Sequence, residues 1–141
     1  MQVLEGKGWR LDHDPARHPF VVLIGGGCEH GAGWAVELSA AEATALAAGV
    51  GRLVAQHAAL ADALMDEESI DLELERPCGD GVLWLALGGD RRGWALRFVL
   101  TPGPGQRGVE GGWDAAASAP LAAALAALVL APPPATGADS A

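Results

Sequence analysis

Apolar and polar positions along this chain follow two periods, and the switches between them mark out the elements. Trp9-Arg-Leu-Asp12 alternates and predicts a first strand. Asp14-Pro15 and His18-Pro19 punctuate the turn after it, because a residue before proline is pushed out of the helical region. Phe20–Ile24 is continuously apolar, as in a strand covered on both faces. Trp34, Val36 and Leu38 then point one way while Ala35 and Glu37 point the other. Ser39-Ala-Ala-Glu42 is a capping-box pattern, in which hydroxyl and carboxylate satisfy two otherwise orphaned amides. The helix it opens carries Leu46, Val50, Leu53, His57, Leu60 and Leu64 at spacings of four and three, one apolar stripe. Gly49 and Gly51 each weaken that helix by about 1 kcal/mol relative to alanine.

The second half follows the same plan. Ile70, Leu72 and Leu74 alternate with Asp71, Glu73 and Glu75; Val82–Leu87 is continuously apolar; Trp94, Leu96, Phe98 and Leu100 alternate again. Residues 101–112 are rich in glycine and proline and read as a loop, with room for a short strand at its end. A helix is expected over Ala119–Ala131 with Pro120 in its first turn, stopped by Pro132-Pro-Pro134. Val22–Gly26 leading to Gly33-Trp-Ala and Leu85–Gly89 leading to Gly93-Trp-Ala are echoes of one another, with Trp34 and Trp94 spaced by 60 residues. The expected fold is α+β: two strand-strand-strand-helix repeats forming antiparallel sheet with helices packed on one face. The repeats run over about 8–66 and 69–131 within a single domain, 1–131, and 132–141 is a disordered Pro/Ala tail. The second helix is apolar all round, with Leu121, Leu125, Leu128, Val129 and Leu130 among alanines, which predicts a homodimer that covers it.

Charge changes this picture more than composition does. Asp plus Glu number 18 against 9 Lys plus Arg, a formal charge of −9, which repels nucleic acid and anionic membranes at long range. The uncharged stretch 115–131 is too short and too alanine-rich to span a bilayer, which takes ~20 strongly apolar residues. The start of the chain shows no secretory pattern, so a cytoplasmic protein with reduced Cys28 and Cys78 is expected.

Candidate chemistry is sparse. Cys28-Glu29-His30 lacks the ligand spacing of a metal site, the glycine pairs lack the context of a phosphate loop, and no nucleophile has a partner at a recognisable spacing. No metal, no cofactor and no catalytic residue is therefore expected, and the protein is read as a non-enzyme. His57, on the apolar stripe, is read as a core histidine with one nitrogen bonded to a carbonyl or to water. Seven carboxylates occur between Asp62 and Glu75 with no base among them. Their bland reading is a solvated helix end and outer strand face. Their functional reading is a docking surface, with Asp66, Glu67 and Glu68 as charged contacts for a protein partner. Glu110 and Trp113, at the end of the Gly/Pro loop, are expected to anchor a second contact.

Gly6-Lys-Gly-Trp-Arg10, Asp14-Pro-Ala-Arg17, Val22-Leu-Ile-Gly-Gly26, Trp34-Ala-Val-Glu-Leu38, Leu64-Met-Asp-Glu-Glu68 and Glu110-Gly-Gly-Trp113 occur in order. Together they resemble a family of small cyanobacterial proteins classed as a domain of unknown function, over roughly residues 1–130. The resemblance implies a fold similar to that of the Whirly proteins and related transcriptional coactivators, whose members bind single-stranded DNA. That analogy names an alternative function, single-stranded nucleic-acid binding, for which Arg91, Arg92, Arg97 and Arg107 with Trp84 as a stacking platform are the available residues. The acidic balance favours the other reading, a homodimeric protein-interaction module.

Overall fold

The computed structural model describes residues 1–27, 33–128 and 130; the Cys28-Glu29-His30 motif, Val129 and the expected tail lie outside the described residues. The chain forms two antiparallel meanders, each followed directly by a helix. The first comprises β1 (Gln2–Gly6), β2 (Trp9–His13), β3 (Phe20–Gly26) and β4 (Trp34–Ser39), then α1 (Ala40–Ala61). The second comprises β5 (Ile70–Cys78), β6 (Gly81–Gly89), β7 (Trp94–Thr101) and β8 (Val109–Trp113), then α2 (Ala115–Ala127). Strand order within each sheet is the order in the chain. The α+β class and the succession of strands closed by a helix agree with the periodicity; β8 is the short strand for which the Gly/Pro segment left room, and β1 is one strand more than the pattern shows. In β1 only Leu4 of five residues turns partly inward, so that strand carries almost no hydrophobic signal.

The expected capping box is formed: Glu42 N–H donates to Ser39 Oγ at 3.2 Å and Ser39 N–H donates to Glu42 Oε1 at 2.8 Å. The second helix begins earlier than its sequence suggests. Asp114 is its N-cap, accepting from Ala117 N–H at 2.9 Å, and Pro120 therefore lies inside the helix rather than in its first turn. Ser118, fully buried, ties this region together. Its hydroxyl accepts from Leu96 N–H at 3.0 Å and faces the carbonyl oxygens of Trp113 and Asp114 at 2.9 and 2.8 Å.

The helices lie against the inner faces of both sheets, α1 chiefly on the sheet of the other half and α2 across its own sheet and the first. α1 packs mainly on β5 and β6 of the second sheet, and α2 packs on β7, on β2 of the first sheet and on α1. Leu53, Leu85, Leu87, Leu96 and Leu121 are sealed from solvent at this junction. Gly49 permits the close approach of α1: a Cβ there would collide with Leu85 Cδ1 and lie 3.3 Å from Arg76 Cδ. Trp113 closes the corner between the sheets, donating its indole N–H to Gly25 O at 3.0 Å and stacking on Phe98, with Trp34 against both rings.

The 60-residue echo has a local origin. It matches β3–β4 with β6–β7, whereas topology matches β4 with β8, the strands that run straight into Ser39 and Asp114 as helix caps. What recurs is a pairing of glycine with tryptophan across a hairpin: Gly26 opposite Trp34, Gly89 opposite Trp94, and also Gly6 opposite Trp9. An indole in the first residue of the returning strand faces a residue with no side chain, leaving room for the ring.

Candidate functional site

In the second sheet the pleat separates a buried face from an open one. Leu83, Leu85, Leu87, Leu96, Phe98 and Leu100 point to the helices and are buried. On the opposite face the register sets Glu75, Trp84, Val99 and Glu110 in one row across β5 to β8, and Glu73, Ala86, Arg97 and Gly112 in the next. Pro77, Val82 and Thr101 precede these rows and Asp71, Gly88 and Ala95 follow. No element of the described chain covers this face: Val82 is 41% exposed, and Arg97, Glu110, Glu73 and Glu75 are exposed.

Electrostatics distinguish this face from its counterpart. On the first sheet Arg10 grips Asp12 with two hydrogen bonds, 3.0 and 2.7 Å, and Arg17 pairs with Glu37. On the second sheet none of Asp71, Glu73, Glu75 and Glu110 has an ion pair within 4.0 Å among the described residues. Among the described residues Arg97 is the one cation in the strand rows of this face, and its guanidinium lies 5.3 Å from the centre of the Trp84 ring. Beside that pair is an open cleft of about 230 Å³ lined by Trp84, Arg97, Val99, Glu110, Gly111 and Gly112. Gly112, opposite Arg97 on this face, adds no side chain to the cleft floor, whereas a Cβ at Gly111 would point inward at Trp34 and Phe98. The arrangement can hold a cationic or planar group between an indole and a carboxylate.

Residues expected to act together are distributed over three places. Asp66 is held by Arg91 and Arg92 at 3.1 and 3.4 Å, so the strongest acidic and basic candidates oppose each other in one exposed cluster. Such exposed pairs contribute ~0–1 kcal/mol and are screened by salt. Glu68 turns back to accept from Met65 N–H at 2.9 Å, leaving Glu67 free-standing and exposed. Arg107 is exposed in the loop before β8. Trp113 does not reach a surface: it is 4% exposed, and its anchoring role is internal, because β8 pleats it inward where sequence alone offered no register. Glu110, Trp84 and Arg97 are brought together in the cleft. The alternating acids of β5 were legible, but their row partners Trp84 and Val99 are not, because only strand register brings them together.

Other polar groups serve the fold. His57 is buried and its Nε2–H donates to Asp90 O at 2.7 Å, as expected of a core histidine. The Asp90 carboxylate accepts from the Arg92 and Gly93 amides at 2.8 and 3.1 Å, and these bonds hold its pKa below the usual carboxylate range. Burial, and then the charge of Glu42, push the Cys78 thiol up. Around Cys78 an apolar groove of about 410 Å³ runs between the start of α1 and Arg76-Pro77. No helix among the described residues is long and apolar enough to cross a membrane. No group of three or more His, Cys, Asp or Glu suited to a metal occurs among them.

Residues 4–128 match the family model described as a domain of unknown function, DUF1818. Among solved structures, the chain is similar to the crystal structure of a protein of unknown function, described as from the DUF155 family, from Prochlorococcus sp. NATL2A. Identity is 36%, coverage is 89% of this chain and 96% of that one, and the TM-score is 0.78. No curated protein matches the chain.

Proposed function

From the premise that this chain belongs to the DUF1818 family, a domain of unknown function, we propose that it works as a non-enzymatic protein-interaction module that docks a basic partner on the outer face of its second sheet. The observation that carries this reading is the set of unpaired carboxylates Asp71, Glu73, Glu75 and Glu110 around the uncovered strip Val82, Trp84 and Val99. Apolar centre and charged rim are the anatomy of a docking surface, and carboxylates left unpaired supply complementarity to a basic partner and speed its approach. The docking surface thereby moves from Asp66–Glu68, where Asp66 is already paired, to the adjoining strand face.

The test is affinity capture from cell lysate followed by mass spectrometry, comparing the wild type with Glu73→Lys/Glu75→Lys and with Glu67→Lys/Glu68→Lys. A basic partner lost only from the first variant, at unchanged melting temperature, supports the reading. Loss that follows the second variant instead, or neither, refutes it.

The nucleic-acid reading is favoured by one observation, the Arg97 guanidinium over Trp84. Arg91 and Arg92, in the β6–β7 turn, are engaged by Asp66, so among the described residues they do not join Arg97 in a continuous basic groove for a phosphate backbone. Anisotropy of labelled single-stranded DNA at low salt tests it directly. Homodimerisation through α2 is a further proposal: Leu121 and Leu125 are buried within one chain, and the exposed face offered to a second copy is Ala116, Ala119, Pro120 and Ala123. Light scattering after gel filtration reads the mass.

A further inference from the structure

We infer that the cleft between Trp84 and Glu110 receives an arginine side chain of the docked partner, and that Arg97 keeps its place in the free protein. This inference rests on the docking reading above and specifies the chemistry of its central contact.

The cleft, about 230 Å³ and open to solvent, has an indole on one side and an exposed, unpaired carboxylate on the other. A guanidinium fits that pair of walls better than an ammonium does. It is planar and weakly hydrated, it stacks on aromatic faces, and its fork of donors matches a carboxylate. The structure already shows the indole accepting such a group, since Arg97 lies 5.3 Å from its centre. Arg97 has no carboxylate partner within 4.0 Å among the described residues, and its strand neighbours Ala86 and Gly112 are too small to hold it. It therefore sits on Trp84 as an exposed arm that an incoming arginine displaces. Four carboxylates against one cation on this face leave a net negative field that favours the exchange.

The inference carries a sign that separates it from its competitors. If Arg97 is a placeholder, removing it frees the indole and deepens the negative field, so binding of a basic ligand strengthens. If Arg97 is itself a phosphate or carboxylate hook, removing it weakens binding.

The experiment is fluorescence polarisation of a fluorescein-labelled peptide alternating arginine and glycine, with its lysine counterpart, against the full chain at low and moderate salt. The arginine peptide is expected to bind several-fold more tightly than the lysine peptide. Arg97→Gln should tighten it by about two- to fivefold, the scale of an exposed cation–π contact. Glu110→Gln should weaken it by at least about fivefold, as loss of a charge-assisted bond does. Glu67→Gln, the same change of net charge away from the cleft, should shift it by less than about twofold. Weaker binding by Arg97→Gln, or equal effects of Glu110→Gln and Glu67→Gln, overturns the inference. If Glu73→Gln and Glu75→Gln weaken binding while Glu110→Gln does not, the docking face stands and the cleft assignment falls. If neither peptide binds any variant, both fall.

Discussion

Replacing Gly49 and Gly51 by alanine, one at a time, sets helix propensity against packing at two positions of α1. Alanine is favoured over glycine in a helix interior by about 1 kcal/mol at either site. At Gly51 nothing lies within 4 Å of the added Cβ, so the full gain should appear as stability. At Gly49 the same methyl collides with Leu85 Cδ1 and lies 3.3 Å from Arg76 Cδ and 3.4 Å from Leu74 Cδ1. Leu85 is sealed in the core. Overpacking of this kind costs about 1–3 kcal/mol. Gly51→Ala should therefore stabilise by about 1 kcal/mol, raising Tm by about 3–5 °C for a chain of this length. Gly49→Ala should be neutral or destabilising by up to about 2 kcal/mol, and the difference between the variants isolates the packing term. Thermal and urea unfolding followed by circular dichroism, with m-values unchanged, reads both. If Gly49→Ala stabilises as much as Gly51→Ala, α1 does not press on β6 as described.

Three further outcomes follow from groups already located. Ser118→Ala leaves Leu96 N–H without a partner in a sealed site and should cost about 1–3 kcal/mol; a loss under ~0.5 kcal/mol in urea unfolding would show that another acceptor takes over. In a Cys28→Ser chain, Cys78 should react slowly with a disulfide reagent at neutral pH and rapidly once guanidinium unfolds it, since burial first and Glu42 second raise its pKa; native labelling at free-thiol rates contradicts this. The Asp90 carboxyl should titrate, by side-chain NMR, below an aspartate in an unfolded peptide, because the Arg92 and Gly93 amides bond its charged form. A depressed carboxylate pKa contributes stability that is present above the unfolded value and lost as pH falls through the folded one. A midpoint at or above the unfolded-peptide value would mean the turn bonds do not form.

Legibility in the sequence followed the range over which each signal acts. Ser39 and Glu42 are three residues apart, and their capping box was visible and is present. The stripe through Leu46, Val50, Leu53 and His57 is buried as its spacing suggests, but Leu60, in the last turn, is 44% exposed. Pro120 suggested a helix start, and Asp114 was the actual cap, since a proline marks a first turn only when no better cap precedes it. Trp113 looked like a surface anchor because its neighbours are glycines and an acid; register with Leu96 turns it inward. The cleft was the least legible part. Trp84, Arg97 and Glu110 come from three strands, and no spacing in one dimension brings them together.

The packing of α1 on the second sheet and of α2 across both makes the segment 62–69 a tether rather than a wall. The second sheet carries the first half's helix and α2 reaches across to the first sheet, so severing the chain there would remove covalent continuity without removing one packed contact between α1 and β5 or between α2 and β2. What the cut would abolish is effective concentration, the local abundance each half enjoys from being tied to the other. Two separately made fragments, 1–64 and 67–130, should be unfolded alone and should assemble on mixing, with a midpoint that moves with their concentration. In that sense the single polypeptide is an obligate heterodimer closed by eight residues, and its two sheets share one folding equilibrium.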